Sequence, residues 1–152
     1  MGSITSRLDQ KGRAFIDVII TPSTLYRTAV GNDKFKGGGS SLLGIAPQFR
    51  YKAKALIDTG ASCTSIDLVV AEKLQLVTKG KVPVHSPRGN HDYDAYDIDL
   101  FIGMQNNLTL LQNRIVIASD IQAQGIHMLI GTDIIKLGVL VFNKGRDFSF
   151  SL

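Results

Sequence analysis

The segment Ala55-Leu56-Ile57-Asp58-Thr59-Gly60-Ala61-Ser62 places an acidic residue directly between an apolar strand and a glycine. Upstream of it, apolar residues alternate with Lys52 and Lys54, which predicts a strand over 49–57 with one buried face. A carboxylate at the end of a buried strand is costly unless it is paired or used chemically. Asp-Thr-Gly alone is also a common turn sequence, so its surroundings must decide between a turn and a functional site.

A second apolar segment has a similar ending. Leu129-Ile130-Gly131 is followed by Thr132-Asp133, a good helix start, and then by Ile134-Ile135. This pattern predicts a short buried strand and a brief helix over 134–137 that stops at Gly138.

Together these segments resemble the retropepsin family, the retroviral-type aspartic proteases. Residues 13–20 resemble the strand before the family's active-site hairpin, and residues 129–143 resemble its second apolar-apolar-Gly segment, short helix and closing strand. The resemblance implies an all-β chain with one or two short helices: a closed-barrel-like retropepsin fold, the half-unit of an acid protease that forms a dimer. We expect a flexible N-terminal arm over 1–12 and a retropepsin-like domain over 13–152, with an insertion loop at about 22–47.

The resemblance also implies an activity, that of an aspartic endopeptidase. The chain contains one Asp-Thr-Gly, and 152 residues are too few for a two-lobed protein with two such motifs, so a homodimer is expected. Each subunit then supplies its Asp58 to a dyad that activates a water molecule. Two carboxyl groups a few ångströms apart do not both ionise, because their charges repel. The ionised one therefore acts as base on the water and the protonated one as acid to the scissile carbonyl, without a covalent intermediate.

Roles for the neighbours of Asp58 follow from the same resemblance. The Thr59 hydroxyl is expected to bond across the dimer axis, and the Gly60 N–H to donate to the carboxylate. Ala61 is expected to pack where a larger side chain would crowd the loop and to contact substrate. Contacts with an extended peptide or protein substrate are likewise implied for Ile130 and Gly131.

A turn-rich hairpin around 86–96 matches the position of the family's flap, the lid that closes over an extended peptide. Substrate contacts are implied at its tip for Ser86, Arg88, Gly89 and Asn90, with Gly89 as the mobile point. The alternative is a surface hairpin that does not gate the site.

The chain departs from the family at four places. The insertion at 22–47 splits the hairpin before Asp58, and the flap lacks a glycine-rich tip. Thr132-Asp133 replaces the Arg-Asn that follows the glycine in retroviral enzymes. Residues 148–152 extend beyond the closing strand, and we expect them in a dimer interface, with packing inside one subunit as the alternative.

Composition excludes several other classes. Apolar types make up 44% and charged types 20%, enough for a core without metals or disulfides. The single cysteine, the absence of a signal-like start and the short apolar runs predict a cytoplasmic protein with no membrane partner. A net charge of +4 from scattered residues predicts no specific nucleic-acid partner.

Rival sites find little support. Cys63 with a histidine as base suggests a cysteine nucleophile, but nothing else in the sequence does, and a small buried thiol is expected. The three histidines and nearby acids fit no zinc or EF-hand spacing, so no metal and no cofactor is expected. The rival from another class is a catalytically inactive dimeric peptide-binding module of the same fold. A cellular protease and a viral or transposon processing enzyme both remain open as origins.

Overall fold

The structure, a computed structural model, describes residues 2–29, 42–87, 89–104 and 107–152. Its strands are β1 Ser3–Arg7, β2 Phe15–Pro22, β3 Tyr51–Ile57, β4 Ser65–Asp67, β5 Lys81–Ser86, β6 Gly89–Met104, β7 Asn107–Ser119, β8 Met128–Ile130, β9 Val139–Asn143 and β10 Asp147–Ser151. The described α-helices are α1 Thr24–Ala29, α2 Leu68–Lys73 and α3 Thr132–Ile135, and short 3-10 turns cover Leu42–Gly44, Pro47–Phe49 and Gln122–Gln124.

Six strands close into a barrel. Their order is β2-β3-β8-β4-β7-β6, and β6 pairs again with β2 to complete the circle. Two pairs are parallel, β3 with β8 and β4 with β7, and the other pairs in the circle are antiparallel. The expected all-β closed barrel with a few short helices is confirmed.

The period-2 pattern of β3 sets the orientation of the strand. Ala53, Ala55 and Ile57 are buried in the barrel core, whereas Lys52 and Lys54 are exposed. β3 ends at the buried Ile57. Because side chains alternate along a strand, the next residue, Asp58, does not continue the buried row and is where the chain leaves the strand.

A second sheet, the terminal sheet, has the order β1-β10-β9. Residues 3–7 are therefore a strand, which corrects the expectation of a flexible arm over 1–12. Phe148 and Phe150 of β10 are each 1% exposed and pack into the core of their own subunit. This burial corrects the expectation that residues 148–152 face a dimer partner, since the apolar face of β10 is already covered.

The insertion is partly helical. Where the sequence favoured a loop, α1 follows β2 directly, and residues 30–41, which include the triple glycine, lie outside the described residues. Arg27 of α1 and Asp99 of β6 form an ion pair of 2.9 Å with both side chains 0% exposed. Arg27 also donates from Nε to the Pro22 carbonyl at 3.0 Å. These contacts fix the start of the insertion on the barrel wall.

Helix α2 begins at a buried acidic cap. The Asp67 carboxylate, in a residue 1% exposed, accepts N–H bonds from Val69 at 2.9 Å, Ile121 at 2.9 Å and Gln122 at 2.8 Å. Burial raises the pKa of Asp67. The three hydrogen bonds, together with the electrostatic attraction of His127, lower it by more than burial raises it, so the pKa lies below its usual value.

The long strand β6 links a projecting hairpin to the barrel. Residues 89–94 pair with β5, and from Ala95 onward β6 pairs with β7 inside the barrel. Within the described ranges, no helix has the length and apolar character needed to cross a membrane.

Candidate active site

Asp58 lies at the mouth of the parallel β3–β8 pair. Its N–H donates to the Ile130 carbonyl at 2.9 Å, which continues the register that joins Ile57 to Ile130. The Ala61 N–H then donates to the Asp58 carbonyl at 3.2 Å and closes a tight turn. Asp58 is half-buried, so its carboxylate lies at the surface, while the two backbone hydrogen bonds hold the turn in place.

The residues after Asp58 shape a small loop around its carboxylate. The Gly60 N–H donates to Asp58 Oδ1 at 2.9 Å. A Cβ on Gly60 would lie 3.3 Å from the same oxygen, so glycine lets the backbone approach the acid closely. Thr59 is exposed, and Ala61 is half-buried at the far side of the turn. At this turn the Asp58 carboxylate and the neighbouring Thr59 therefore face solvent.

A buried network anchors the far end of this loop to the second apolar segment. The Thr64 hydroxyl donates to Asp133 Oδ1 at 2.7 Å and accepts from the Gly131 N–H at 3.1 Å. The Thr64 N–H donates to Asp133 Oδ2 at 3.1 Å. Nearby, the Thr132 N–H donates to the Ala61 carbonyl at 2.8 Å. The loop from Asp58 to Thr64 is thus held at both ends by one segment.

At this junction position 131 has no room for a side chain. A Cβ there would lie 2.8 Å from the Ala61 carbonyl oxygen and 2.8 Å from the carbonyl carbon of Cys63. Both are backbone atoms that cannot rotate away. The glycine after the second apolar segment therefore permits direct backbone packing on the Asp58 loop.

The structure separates the predicted substrate-contact residues into two groups. Gly131 and Ile130 adjoin the Asp58 loop, whereas Ser86, Gly89 and Asn90 lie at the end of the β5–β6 hairpin. The Asn90 amide oxygen bonds His85 Nδ1 across the hairpin at 2.8 Å.

Two of the predicted contact residues differ from the others. Arg88 lies outside the described residues. The side chain of Ile130 is 0% exposed in the barrel core, which corrects the expectation that it touches substrate.

Sequence reasoning missed the neighbour of Ile130. Leu129 is half-buried and lies in parallel register with Leu56, which is also half-buried. Both side chains are on the opposite face of their strands from the core residues on either side, so they form an apolar surface next to Asp58. The alternation of side chains along a strand, counted from the apolar residues Ile57 and Ile130, is the sequence signal that could have identified them.

The structure describes the residues of both rival sites. Within the described residues, no group of three or more His, Cys, Asp or Glu side chains has a geometry suited to a metal ion. Cys63 is half-exposed beside Ser62, not buried as the sequence suggested.

Comparison with known proteins gives matches of structure. No protein-family model matches the chain, and no curated protein matches it in sequence. A retropepsin-like aspartic protease from Rickettsia conorii aligns with 98% of this chain and 89% of its own, at 16% identity and a TM-score of 0.57.

Two further structures are similar at lower scores. EIAV protease in complex with an inhibitor aligns with 86% of this chain and 92% of its own, at 14% identity and a TM-score of 0.48. The retroviral protease-like domain of Ddi1 from Leishmania major aligns with 67% of this chain and 86% of its own, at 14% identity and a TM-score of 0.40.

The Rickettsia match establishes the architecture. It spans nearly the whole of both chains, and the present chain therefore has the retropepsin-like fold. The predicted resemblance is confirmed at this level, and identities this low define the fold alone.

Proposed function

We propose that the protein is an aspartic endopeptidase whose active site forms when two copies bring their Asp58 residues together. The observation that carries the proposal is the position of Asp58. It ends a buried strand in a retropepsin-like barrel, with its carboxylate half-exposed and held by the Gly60 N–H at 2.9 Å. A plain turn has no need of the buried network that anchors this loop at Thr64.

The homodimer follows from the count of motifs. A single chain supplies one Asp-Thr-Gly, whereas water-mediated hydrolysis with two carboxylates needs an acid and a base. A two-fold axis beside the loop provides both, and the exposed Thr59 is available to bond across that axis.

The dyad then divides the chemistry between identical residues. Two adjacent carboxylates share one proton, because ionising both would place like charges in contact. The ionised Asp58 takes a proton from water, which attacks the peptide carbonyl, while the protonated Asp58 donates to the carbonyl oxygen. The tetrahedral species collapses with transfer of a proton to the leaving amine, so no bond to the protein forms.

The proposed substrate is an extended peptide or protein segment. Leu56 and Leu129 offer an apolar floor beside the acid, and in this proposal the β5–β6 hairpin acts as the flap. Ser86, Arg88, Gly89 and Asn90 remain predicted contacts with the substrate. Strand-like hydrogen bonding to such a hairpin suits an extended backbone, whatever its side chains.

The test compares the wild type with Asp58→Asn and with Asp17→Asn, a matched control on the exposed face of β2. Each protein is incubated with a diverse peptide mixture at several pH values from acid to neutral, and cuts are read by mass spectrometry. We expect cleavage by the wild type and Asp17→Asn, and loss of at least about 1,000-fold in Asp58→Asn, because the general base and acid are both removed. Cleavage that survives Asp58→Asn would overturn the proposal.

A different result would favour the rival function. If none of the three proteins cuts any peptide while the wild type binds peptides as a dimer, the protein is a peptide-binding module of this fold. Equal binding by Asp58→Asn would complete that conclusion.

A further inference from the structure

A small cleft lies on the outer wall of the barrel, between helix α1 and the loop over 74–80. Asp97 of β6 faces outward into it, because its neighbours Tyr96 and Ile98 pack in the barrel core. The volume of the cleft is about 250 Å³, below the about 300–1,000 Å³ of sites that enclose a whole small molecule. A cleft of this size suits one side chain of a larger partner. It is lined by Leu25, Tyr26, Leu76, Val77, Lys79 and Asp97.

The rim of the cleft is apolar and exposed. Leu25 of α1 is 62% exposed, and Val77 of the 74–80 loop is 60% exposed. Ile115 of β7 is 59% exposed and pairs with Asp97 in the register of β6 and β7, so its side chain lies on the same face beside the cleft. One exposed apolar residue is ordinary, but three from separate segments that meet around one cleft mark a surface that another molecule covers.

A carboxylate is set into this apolar surface. The side chain of Asp97 is only 9% exposed, and its Oδ2 accepts a hydrogen bond from the ammonium of Lys79. Its Oδ1 accepts none from the part of the chain that the structure describes. The side chain of Lys79 is 53% exposed, so water competes for its ammonium and the ion pair contributes little to stability. The cleft therefore combines apolar walls with a largely buried negative charge that an exposed cation balances.

We propose that this cleft binds an arginine side chain of a protein partner. The choice of arginine rests on charge complementarity. A guanidinium has parallel N–H donors that reach both oxygens of Asp97, whereas the ammonium of Lys79 is a point charge. The aliphatic stem of the arginine packs between Leu25 and Val77, and the half-buried Tyr26 supplies an aromatic wall that attracts the cation. Lys79 turns to water as the guanidinium enters.

The exposed rim indicates that the arginine belongs to a peptide segment. A free arginine would fill the cleft and leave Leu25, Val77 and Ile115 in water, whereas apolar residues next to an arginine in a peptide cover them. Arginine is also one of the residue types that most often carry the binding energy of protein interfaces. The partner is therefore a protein that presents an exposed arginine between apolar residues.

The insertion and the base of the β5–β6 hairpin form the cleft together. The Lys79 N–H donates to the Ala95 carbonyl at 2.7 Å, and the Ala95 N–H donates to the Gly80 carbonyl at 2.9 Å, directly before β5 begins at Lys81. On the other side, α1 is part of the segment 22–47 in which the chain departs from the family. The described residues that line the cleft lie outside the Asp58 loop, so binding there does not require the proposed protease activity.

Two matched peptides test the assignment. One is fluorescently labelled Ala-Leu-Arg-Leu-Ala, and in the other citrulline replaces arginine, which keeps the shape and removes the charge. All proteins carry Asp58→Asn, so that neither cleavage nor the Asp58 carboxylate affects the measurement. Fluorescence anisotropy should show the arginine peptide binding at least about 10-fold more tightly than the citrulline peptide, since a hydrogen bond to a charged group is worth at least that factor.

Substitutions locate the binding to this cleft. Asp97→Asn should reduce the preference for arginine over citrulline to less than about 2-fold. Lys79→Met should strengthen binding of the arginine peptide about 3-fold or more, because it removes the competing cation, and a purely structural ion pair would not produce that gain. Ile115→Lys, at an exposed position, places a new cation beside Asp97 and should weaken binding about 10-fold.

The matched control is Lys81→Met. It removes the same charge from the same hairpin, in the 3.1 Å ion pair of Lys81 with Asp94 outside the cleft. Binding of the arginine peptide should stay within about 2-fold of the parent protein. Circular dichroism confirms that each variant is folded.

The possible outcomes are distinct. Equal binding of the two peptides overturns the assignment, as does an arginine preference that Asp97→Asn and Ile115→Lys leave intact. Weaker binding by Lys79→Met, or no binding at millimolar peptide, overturns it as well. If free L-arginine binds as tightly as the peptide, the occupant is a small cation and the protein partner is wrong. Because Asp58→Asn is present throughout, a failure of the proposed protease does not alter these results, and a failure here does not alter the protease test.

Discussion

The Thr64 network gives the sharpest test of how the Asp58 loop is held. Thr64 is 0% exposed, and its hydroxyl donates to Asp133 at 2.7 Å and accepts from the Gly131 N–H at 3.1 Å. Thr64→Val keeps the shape of the side chain and removes both bonds. The lost bond to a charged group is worth about 1.5–3 kcal/mol, and the stranded Gly131 N–H costs about 1–3 kcal/mol.

These two contributions overlap, because Asp133 keeps its bonds to the N–H groups of Thr64 at 3.1 Å and Ile134 at 3.0 Å. We therefore expect Thr64→Val to destabilise the protein by about 3 kcal/mol. For a chain of this length each kcal/mol lowers the melting temperature by about 2–4 °C, so a loss of about 6–12 °C is expected.

The matched control is Thr64→Ser, which keeps the hydroxyl and loses one methyl group. Its expected cost is about 1 kcal/mol, or about 2–4 °C. Thermal unfolding followed by circular dichroism at neutral pH measures both variants. If Thr64→Val melts within about 2 °C of Thr64→Ser, the hydroxyl does not anchor the loop and the reasoning fails.

Two further predictions concern buried charges. Arg27→Met leaves Asp99 buried without its cation and should cost about 3–5 kcal/mol in urea unfolding. Because the two side chains act as a unit, the double variant Arg27→Met/Asp99→Leu should lose less unfolding free energy than the two single variants lose in sum. Additive losses would contradict a coupled pair. The pKa of Asp67 is lowered from an ordinary 3.8, so its ionised form contributes stability above that pH, and the contribution is lost as the pH falls through the lowered pKa. The unfolding free energy should therefore fall more steeply below about pH 4 in the wild type than in Asp67→Asn, and parallel profiles would contradict this.

Much of the fold could be predicted because its signals are local. Alternation in β3 and the apolar run of β8 identify the strands on either side of Asp58. The turn after Asn143 follows from Lys144-Gly145, which have φ of 50° and 68°. Each of these patterns is complete within a few residues, so no tertiary information is needed.

What could not be predicted depends on distant partners. The β1 strand contains one apolar residue, Ile4, and becomes a strand because β10 offers it an edge. Helix α1 follows a proline, in a segment whose composition favours loops, and depends on the buried Arg27 contact with Asp99, 72 positions away. In the site, Asp58 was found from its motif, whereas the role of Asp133 rests on a contact with Thr64 across 69 positions.

The pairing of β1 with β10 has a consequence for the order of assembly. Thr5 and Ser149 bond at 2.8 Å although 144 positions separate them, so closing that contact early would cost much chain entropy. The barrel must first bring the two segments together, and the terminal sheet is completed late in folding. The β9 edge is therefore presented in its final form only by chains whose barrel has already closed. A half-folded chain therefore exposes unpaired strand edges, with which other unfolded chains can pair and aggregate.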